Sequence, residues 1–303
     1  MKRVELSPGI YHLQGGANMG LVVQNGRGLL IDVGLDKDAA RRAWRTADEL
    51  GVTLEAVFVT HAHADHFGGL YFLQRRSNVP AYAPALEAAM MEHPIIEPLY
   101  LFCGAAPIGE LRGKFTLARP ARIEHPVDVR QGRLEIGPFQ VEIVPLPGHA
   151  LGQVGVAVGD VLFCADALFP AETLSKHKIT FCVDMEETLA TLKRLPEMPY
   201  AYFAPGHGPA YVAGDEITQV CAANRTRLEE VCRLVFDALE TEQETVALLK
   251  YVADYYGLYL KTSTAYFLTR TTVLAALSML ERAGEIVATV VENRLRWRRA
   301  DHI

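Results

Sequence analysis

The sequence is short of the features that mark secreted, membrane-bound or nucleic-acid-coating proteins. Its five cysteines, Cys103, Cys164, Cys182, Cys221 and Cys232, are odd in number and scattered, with no C-x-x-C pair, so neither a disulfide framework nor a cysteine-based zinc cluster is expected. No apolar run reaches the length of a membrane span. The opening MKRVELSPGI has no signal-peptide stretch, so a reducing cytoplasm is the expected location and no membrane partner is expected. Positive charge is not in excess: 30 Lys and Arg against 36 Asp and Glu leave a formal charge of −6 and no global field to attract nucleic acid or anionic lipid. Half the residues are hydrophobic, which excludes a disordered polyelectrolyte. What stands out is ten histidines, the side chain that titrates nearest neutrality and most often ligates metals.

The first two-thirds of the 303 residues alternates short β-type runs with turn residues. Strands are expected at 9–13, 20–24, 28–33, 56–60, 81–83, 133–136, 139–145, 154–158 and 160–164. Asn25-Gly26 and Gly137-Pro138 favour tight connections between them. Ala39, Ala43, Ala47 and Leu50 have helical spacing over 36–50. Asp184, with Glu187 three residues on, opens a helix that Pro196 ends. The glycine cluster at 15–20 precedes a strand and reads as a hairpin turn. The segment 85–120, rich in proline and large apolar residues, is expected to be a lid, a subunit contact or a helical insert.

After about residue 219 the texture changes to long helices: 224–239, a second opened by a Thr241/Glu244 capping box and ending near Gly257, and a third from Thr262 to Gly284. EIVATVV and RLRWRRA then form a hairpin about Glu292-Asn293. Three helices followed by a hairpin is the order of a winged-helix module, so two domains are expected, 1–222 and 223–303. Tyr251, Tyr255, Tyr256 and Tyr259 are expected to pack between helices.

The chemistry concentrates in THAHADHFGG, residues 60–69, directly after the apolar strand AVFV. His61, His63, Asp65 and His66 leave one strand end, and Gly68 and Gly69 allow close packing. Imidazole nitrogen and carboxylate oxygen are the ligands expected for zinc and related first-row metals. Three more pieces follow in order, each at a strand end: His149 in PLPGHALGQVG, Asp166 in FCADALF and His207 in APGHGP. His177 and Lys176, about ten residues beyond Asp166, are candidates for a substrate pocket. His12, His93, His125 and His302 have no partner motif.

The order H-x-H-x-D-H, Gly-His, Asp, Gly-His resembles the metallo-β-lactamase superfamily over residues 1 to about 220. The resemblance implies a mixed α/β (α+β) fold, an αββα sandwich with two metals at one edge of the sheets. It implies that His61, His63 and His149 hold one metal, that Asp65, His66 and His207 hold the other, and that Asp166 bridges them. Asp32, in LLIDVG, would support the metal loop. Ala165 stands where the family usually has glycine. The cofactor implied is two zinc ions per chain, with iron or manganese as alternatives. The chemistry implied is attack by a metal-bridging hydroxide, with Asp65 and Asp166 at the catalytic centre, because shared cations bring the pKa of water to about 7.

The motif is closest to glyoxalase II-like hydrolases, whereas the tail resembles the winged-helix extension of cytosolic β-lactamase-like proteins. Residues 224–303 hold eleven Lys and Arg against eleven Asp and Glu, and only the last strand, with Arg294, Arg296, Arg298 and Arg299, is basic. The leading expectation is therefore a hydrolase of an ester, thioester or similar small electrophile. The arginine strand is then a solvated wing carrying Trp297, and the tail packs against the catalytic domain or forms a homodimer. Two alternatives stay open at the same site: a single-strand RNA endonuclease and a mononuclear-iron persulfide dioxygenase.

Overall fold

The computed structural model describes residues 1–301; His302 lies outside them. A seven-stranded sheet runs in chain order through Lys2–Ser7, Ile10–Gln14, Met19–Gln24, Arg27–Ile31, Thr53–Phe58, Ala81–Pro84 and His125–Val127. A six-stranded sheet runs from Arg133–Ile136 through Phe139–Pro145, Val154–Val158, Val161–Ala165 and Tyr202–Pro205 to Val212–Ala213.

Period-two alternation divides each strand between two cores. Leu29, Ile31, Ala56 and Phe58 of the first sheet meet Phe139, Val141, Val156 and Phe163 of the second in one cluster between the sheets. Leu30, Leu54 and Val57 point the other way, onto the Lys37–Glu49 helix through Ala39, Ala43 and Ala47. Leu162 and Cys164 point outward from the second sheet onto the Met185–Arg194 and Ile217–Asp237 helices. The result is the expected αββα sandwich.

The tight connections form as their residues require. Asn25 and Gly26 both have positive φ between paired Gln24 and Arg27, and Glu292 and Asn293 do the same between Val291 and Arg294. Asp36 caps its helix by accepting from the Asp38 and Ala39 amides, and Asp184 accepts from the Glu187 amide.

Several expectations are corrected. The helix expected at 224 begins at Ile217, so the division at 222/223 falls inside it; Ile217 and Cys221 join Leu162 and Phe203 in the same core as Val231, Val273 and Leu277. Thr241 and Glu244 form no capping box. Gln243–Glu244 pairs instead with the Arg294–Arg299 strand, the helix starts at Thr245, and the Thr241 hydroxyl accepts from the Gln243 side chain. Of the four tyrosines only Tyr256 packs, donating to Glu230 under the Arg227 guanidinium, while Tyr251, Tyr255 and Tyr259 are exposed.

The arginine strand is not a free wing either. Arg294 faces Glu244 at 3.5 Å, Arg296 meets Glu242 at 2.7 Å and Arg298 meets Asp301 at 3.0 Å. Arg299 lies over the Phe236 ring and donates to the Phe236 and Asp237 carbonyls. The 85–120 segment holds two short helices, Ala85–Glu92 and Ile96–Leu101, and a 3-10 turn at Gly109–Arg112.

Candidate metal centre

The seven side chains singled out in the sequence converge at the ends of strands from both sheets. The Thr53–Phe58 strand delivers His61 and His63, and the short Ala64–Phe67 helix turns Asp65 and His66 back toward them. This turn needs glycine: a Cβ on Gly68 would lie 2.0 Å from the Leu35 carbonyl oxygen, and one on Gly69 would lie 2.5 Å from that of Val33. From the second sheet, Asp166 follows the Val161–Ala165 strand and His207 follows Tyr202–Pro205. Ala165 takes φ +47°, the left-handed conformation that explains why glycine suits this position.

The ligand atoms form three overlapping groups, each within 4.8 Å: His61, His63 and His149; His61, His66 and Asp166; and Asp65, His66 and His207. Asp166 lies centrally, 3.4 Å from His66 Nε2 through Oδ1, and 3.4 and 3.3 Å from His149 and His207 Nε2 through Oδ2. Asp65 is 3.3 Å from His207.

Four of the five imidazoles are oriented from behind, while His63 meets His149 Nε2 through its own Nδ1 at 2.9 Å. His66 Nδ1 donates to Asp32 at 2.8 Å, His149 Nδ1 to the Phe181 carbonyl at 2.9 Å and His207 Nδ1 to the Gly16 carbonyl at 2.9 Å. His61 Nδ1 meets the Thr60 hydroxyl at 3.1 Å, and that hydroxyl also contacts Asp32. With a proton held on Nδ1, the Nε2 atom of each of these four is turned into the centre, the arrangement that outer hydrogen bonds impose on metal-binding histidines.

The centre fits a divalent cation on its own chemistry. His61 Nε2, His66 Nε2 and Asp166 Oδ1 are buried with no hydrogen-bond partner, a costly condition that a cation relieves. A Cβ on Gly206 would stand 2.1 Å from Asp166 Oδ1 and 2.8 Å from His66 Cε1, so glycine keeps this space open.

The electrostatics agree. Burial, and then the neighbouring imidazoles, hold His61 well below its ordinary value and His63 at about 3; burial also lowers His149. These three imidazoles are neutral, the form in which a histidine can offer a lone pair to a cation. Asp166 raises His207 to about 10, and Asp166, Asp65 and Asp32 overcome burial to hold His66 well above its ordinary value. Burial opposes ionisation of Asp65, but His66 and His207 bring it down to about 2. The carboxylates thus attract positive charge to the positions where a cation would sit.

Three contributors escaped the sequence. Glu87 is buried and accepts from the amides of Ala62 and Gly152, tying the two loops that carry His61, His63 and His149. Its signal was the acid inside the apolar run ALEAAMM. Phe181 and Gly16 act through backbone carbonyls, which have no sequence signature. Lys176 and His177 end the Ala171–His177 helix and line a cavity of about 840 Å³ above the centre, as does Tyr259.

Residues 13–207 match the metallo-beta-lactamase superfamily. The chain belongs to that superfamily and is a hydrolase of its fold, with a histidine and aspartate cluster that binds divalent metal. A Bacillus subtilis protein called "Probable metallo-hydrolase YqgX" is 31% identical over 168 residues, 53% of this chain and 72% of that one. The hydroxyacylglutathione hydrolase of Shewanella denitrificans is 32% identical over 149 residues, 48% of this chain and 44% of the relative, so the match spans less than half of that enzyme.

Among solved structures, a metallo-beta-lactamase family protein from Thermus thermophilus superposes with a TM-score of 0.75 at 20% identity, over 97% of this chain and 100% of that one. A beta-lactamase domain protein from Burkholderia ambifaria gives 0.76 at 20% identity, over 99% and 94%. At that identity the likeness is one of fold. No helix among the described residues is long and apolar enough to cross a membrane.

Proposed function

We propose that the chain is a dinuclear, zinc-loaded hydrolase of small esters or thioesters. His61, His63 and His149 would hold one cation and Asp65, His66 and His207 the other, with Asp166 lying between the two sets. The single observation that carries this reading is the shared position of Asp166, within 3.4 Å of the ring nitrogens of His66, His149 and His207. Divalent cations supply polarisation of a carbonyl oxygen and a water acidic enough to attack at neutral pH. Asp65, partly open to the cavity, is placed to take up and return the proton that leaves the attacking water. Lys176 at the mouth offers an ammonium to an anionic leaving group, and His177 beside it lines the approach. The C-terminal helices and three-stranded sheet are read as a winged-helix module that serves the catalytic unit, and the five free cysteines agree with a cytoplasmic location.

The paired arginines of the last strand weigh against the RNA alternative, because each already has a carboxylate or carbonyl partner within the chain. Elemental analysis of the purified protein beside a screen of thioesters, lactones, phosphodiesters and RNA tests the proposal. Close to two zinc ions per chain and thioester or ester turnover lost in Asp166→Ala are expected. Iron alone with oxygen uptake on a persulfide, or full activity without metal, overturns it.

A further inference from the structure

The cavity above the metal centre is about 840 Å³, the size that encloses a drug-sized molecule, and far more than a two- or three-carbon acyl group fills. Its surface becomes apolar at the metal ligands themselves. The Phe181 ring stands 5.4 Å from that of His63 and 5.5 Å from that of His149, while Phe169 lies 6.0 Å from His149 and stacks at 6.5 Å on His207. Beyond them the wall continues through Ile179, Leu258, Leu260 and Leu268.

The lining also contains threonines, but several of their hydroxyls are engaged with the backbone. Thr116 donates to the Leu111 carbonyl at 2.7 Å, Thr269 to that of Ala265 at 2.8 Å and Thr272 to that of Thr180 at 3.1 Å, and Thr262 accepts from the Ala265 amide at 3.1 Å. What these residues have left to offer a ligand is mainly methyl surface. Lys176, His177 and Glu110 are exposed. Outside the proposed metal ligands, Glu97 is the one charged residue type of the lining that is buried, and burial and the nearby Asp65 hold its carboxyl well above the usual range.

We propose that the site selects esters and thioesters of bulky apolar acyl groups, of medium-chain alkyl size, and that Leu268 on the Ser263–Arg282 helix sets how long a chain is accepted. The proposal rests on the hydrolase reading above. The carbonyl sits at the metal centre, the acyl arm runs between Phe181 and the C-terminal helix, and the leaving group emerges past Lys176. Each methylene moved from water to this wall is worth up to roughly fourfold in selectivity. A short hydroxyacyl group has too little apolar surface to use the wall.

The test uses the metal-loaded full chain and a series of N-acetylcysteamine thioesters: acetyl, lactoyl, butyryl, octanoyl and dodecanoyl. The expected kcat/KM rises at least about 100-fold from acetyl to octanoyl. Leu268→Trp is expected to lower the octanoyl-to-acetyl ratio at least tenfold. Leu268→Ala, which removes volume and carries no risk of overpacking, is expected to raise the dodecanoyl-to-octanoyl ratio. Thermal-shift titration with octanoate and acetate, scored alongside, reads binding without turnover; octanoate alone should stabilise the protein, less so in Leu268→Trp.

Lactoyl or acetyl thioester cleaved as fast as octanoyl refutes the acyl preference while leaving the hydrolase intact. No hydrolysis at any length refutes the hydrolase reading, and octanoate binding then decides the ligand class: stabilisation sensitive to Leu268 keeps an apolar-arm ligand, and its absence overturns it.

Discussion

Replacing Asp32 by asparagine changes one atom and tests how the metal centre is oriented. Asp32 is buried at φ +60°, where the Arg27–Ile31 strand ends. Its Oδ2 accepts from His66 Nδ1 at 2.8 Å, its Oδ1 accepts from the Thr60 amide at 2.8 Å, and both oxygens lie within 3.1 Å of the Thr60 hydroxyl, which in turn faces His61 Nδ1. One carboxylate therefore sets the tautomers of two proposed ligands. An amide has a single acceptor oxygen. With that oxygen kept on the Thr60 side, the NH2 group faces His66 Nδ1 and drives its proton to Nε2, the atom aimed at the cation. Flipped, the NH2 group opposes the Thr60 amide, leaving a buried donor unpaired at about 1–3 kcal/mol. Losing such an outer partner lowers metal affinity about 10–100-fold, or about 1.4–2.7 kcal/mol. Chelator competition on Asp32→Asn should show that loss first in the cation held by His66, with far-UV circular dichroism unchanged. Two cations bound with wild-type affinity would refute the tautomer argument.

Thr272→Val removes a fully buried hydroxyl that accepts from the Cys182 amide at 3.3 Å and donates to the Thr180 carbonyl at 3.1 Å, on either side of the Phe181 carbonyl that holds His149. We expect about 2–4 kcal/mol less stability in urea unfolding, together with weaker metal binding, both restored by Thr272→Ser; unaltered metal affinity would confine Thr272 to a structural role. Gly206→Ala should drive its methyl into Asp166 and abolish the paired metal content, so a variant that purifies with two metals per chain contradicts the geometry. His12 is buried and brought down to about 4 by burial, so its contribution to stability is complete above pH 6.5 and is lost as pH falls toward 4. His12→Leu should flatten the pH dependence of the urea midpoint in that window by up to about 3 kcal/mol; parallel profiles for the two proteins would count against a neutral buried imidazole.

The strands and the candidate ligands were legible because both carry local patterns. Two-residue alternation marked Phe139–Pro145 and Val154–Val158 to the residue, and H-x-H-x-D-H needs no tertiary knowledge to be seen. The Lys2–Ser7 strand was missed because it is a sheet edge, largely exposed, whose KRVELS pattern resembles a charged turn. Thr241 and Glu244 had the spacing of a cap, yet pairing with the last strand claimed that segment, an interaction about fifty residues away that no local window contains. The tyrosines misled for the opposite reason. Tyr251, Tyr255 and Tyr259 recur at four-residue spacing as core positions do, but Tyr251 and Tyr255 are exposed on the helix, and Tyr259 lies past its end at the cavity.

The C-terminal segment is where sequence texture and packing part most clearly, and that bears on how the enzyme is built. Change from strands to long helices suggested a division at 222/223, yet the Ile217–Asp237 helix crosses it and Leu162, Leu192 and Phe203 of the sandwich share one core with Val231, Val273 and Leu277. The Arg227 side chain reaches the Leu174 and Lys178 carbonyls, Lys178 reaches that of Tyr256, and Arg270 meets Cys103 in the 85–120 insert at 2.9 Å. A fragment of residues 1–222 would uncover several large apolar side chains at about 1.5–3 kcal/mol each, a sum comparable to the whole stability of a domain, about 5–15 kcal/mol. It would also lose Thr272, and with it the clamp behind His149. We therefore expect that fragment to aggregate or to bind a hydrophobic dye without a cooperative thermal transition. If it instead melted cooperatively and kept its metal, the C-terminal helices would be an appended module, and the cavity wall they form would be incidental to the metal site.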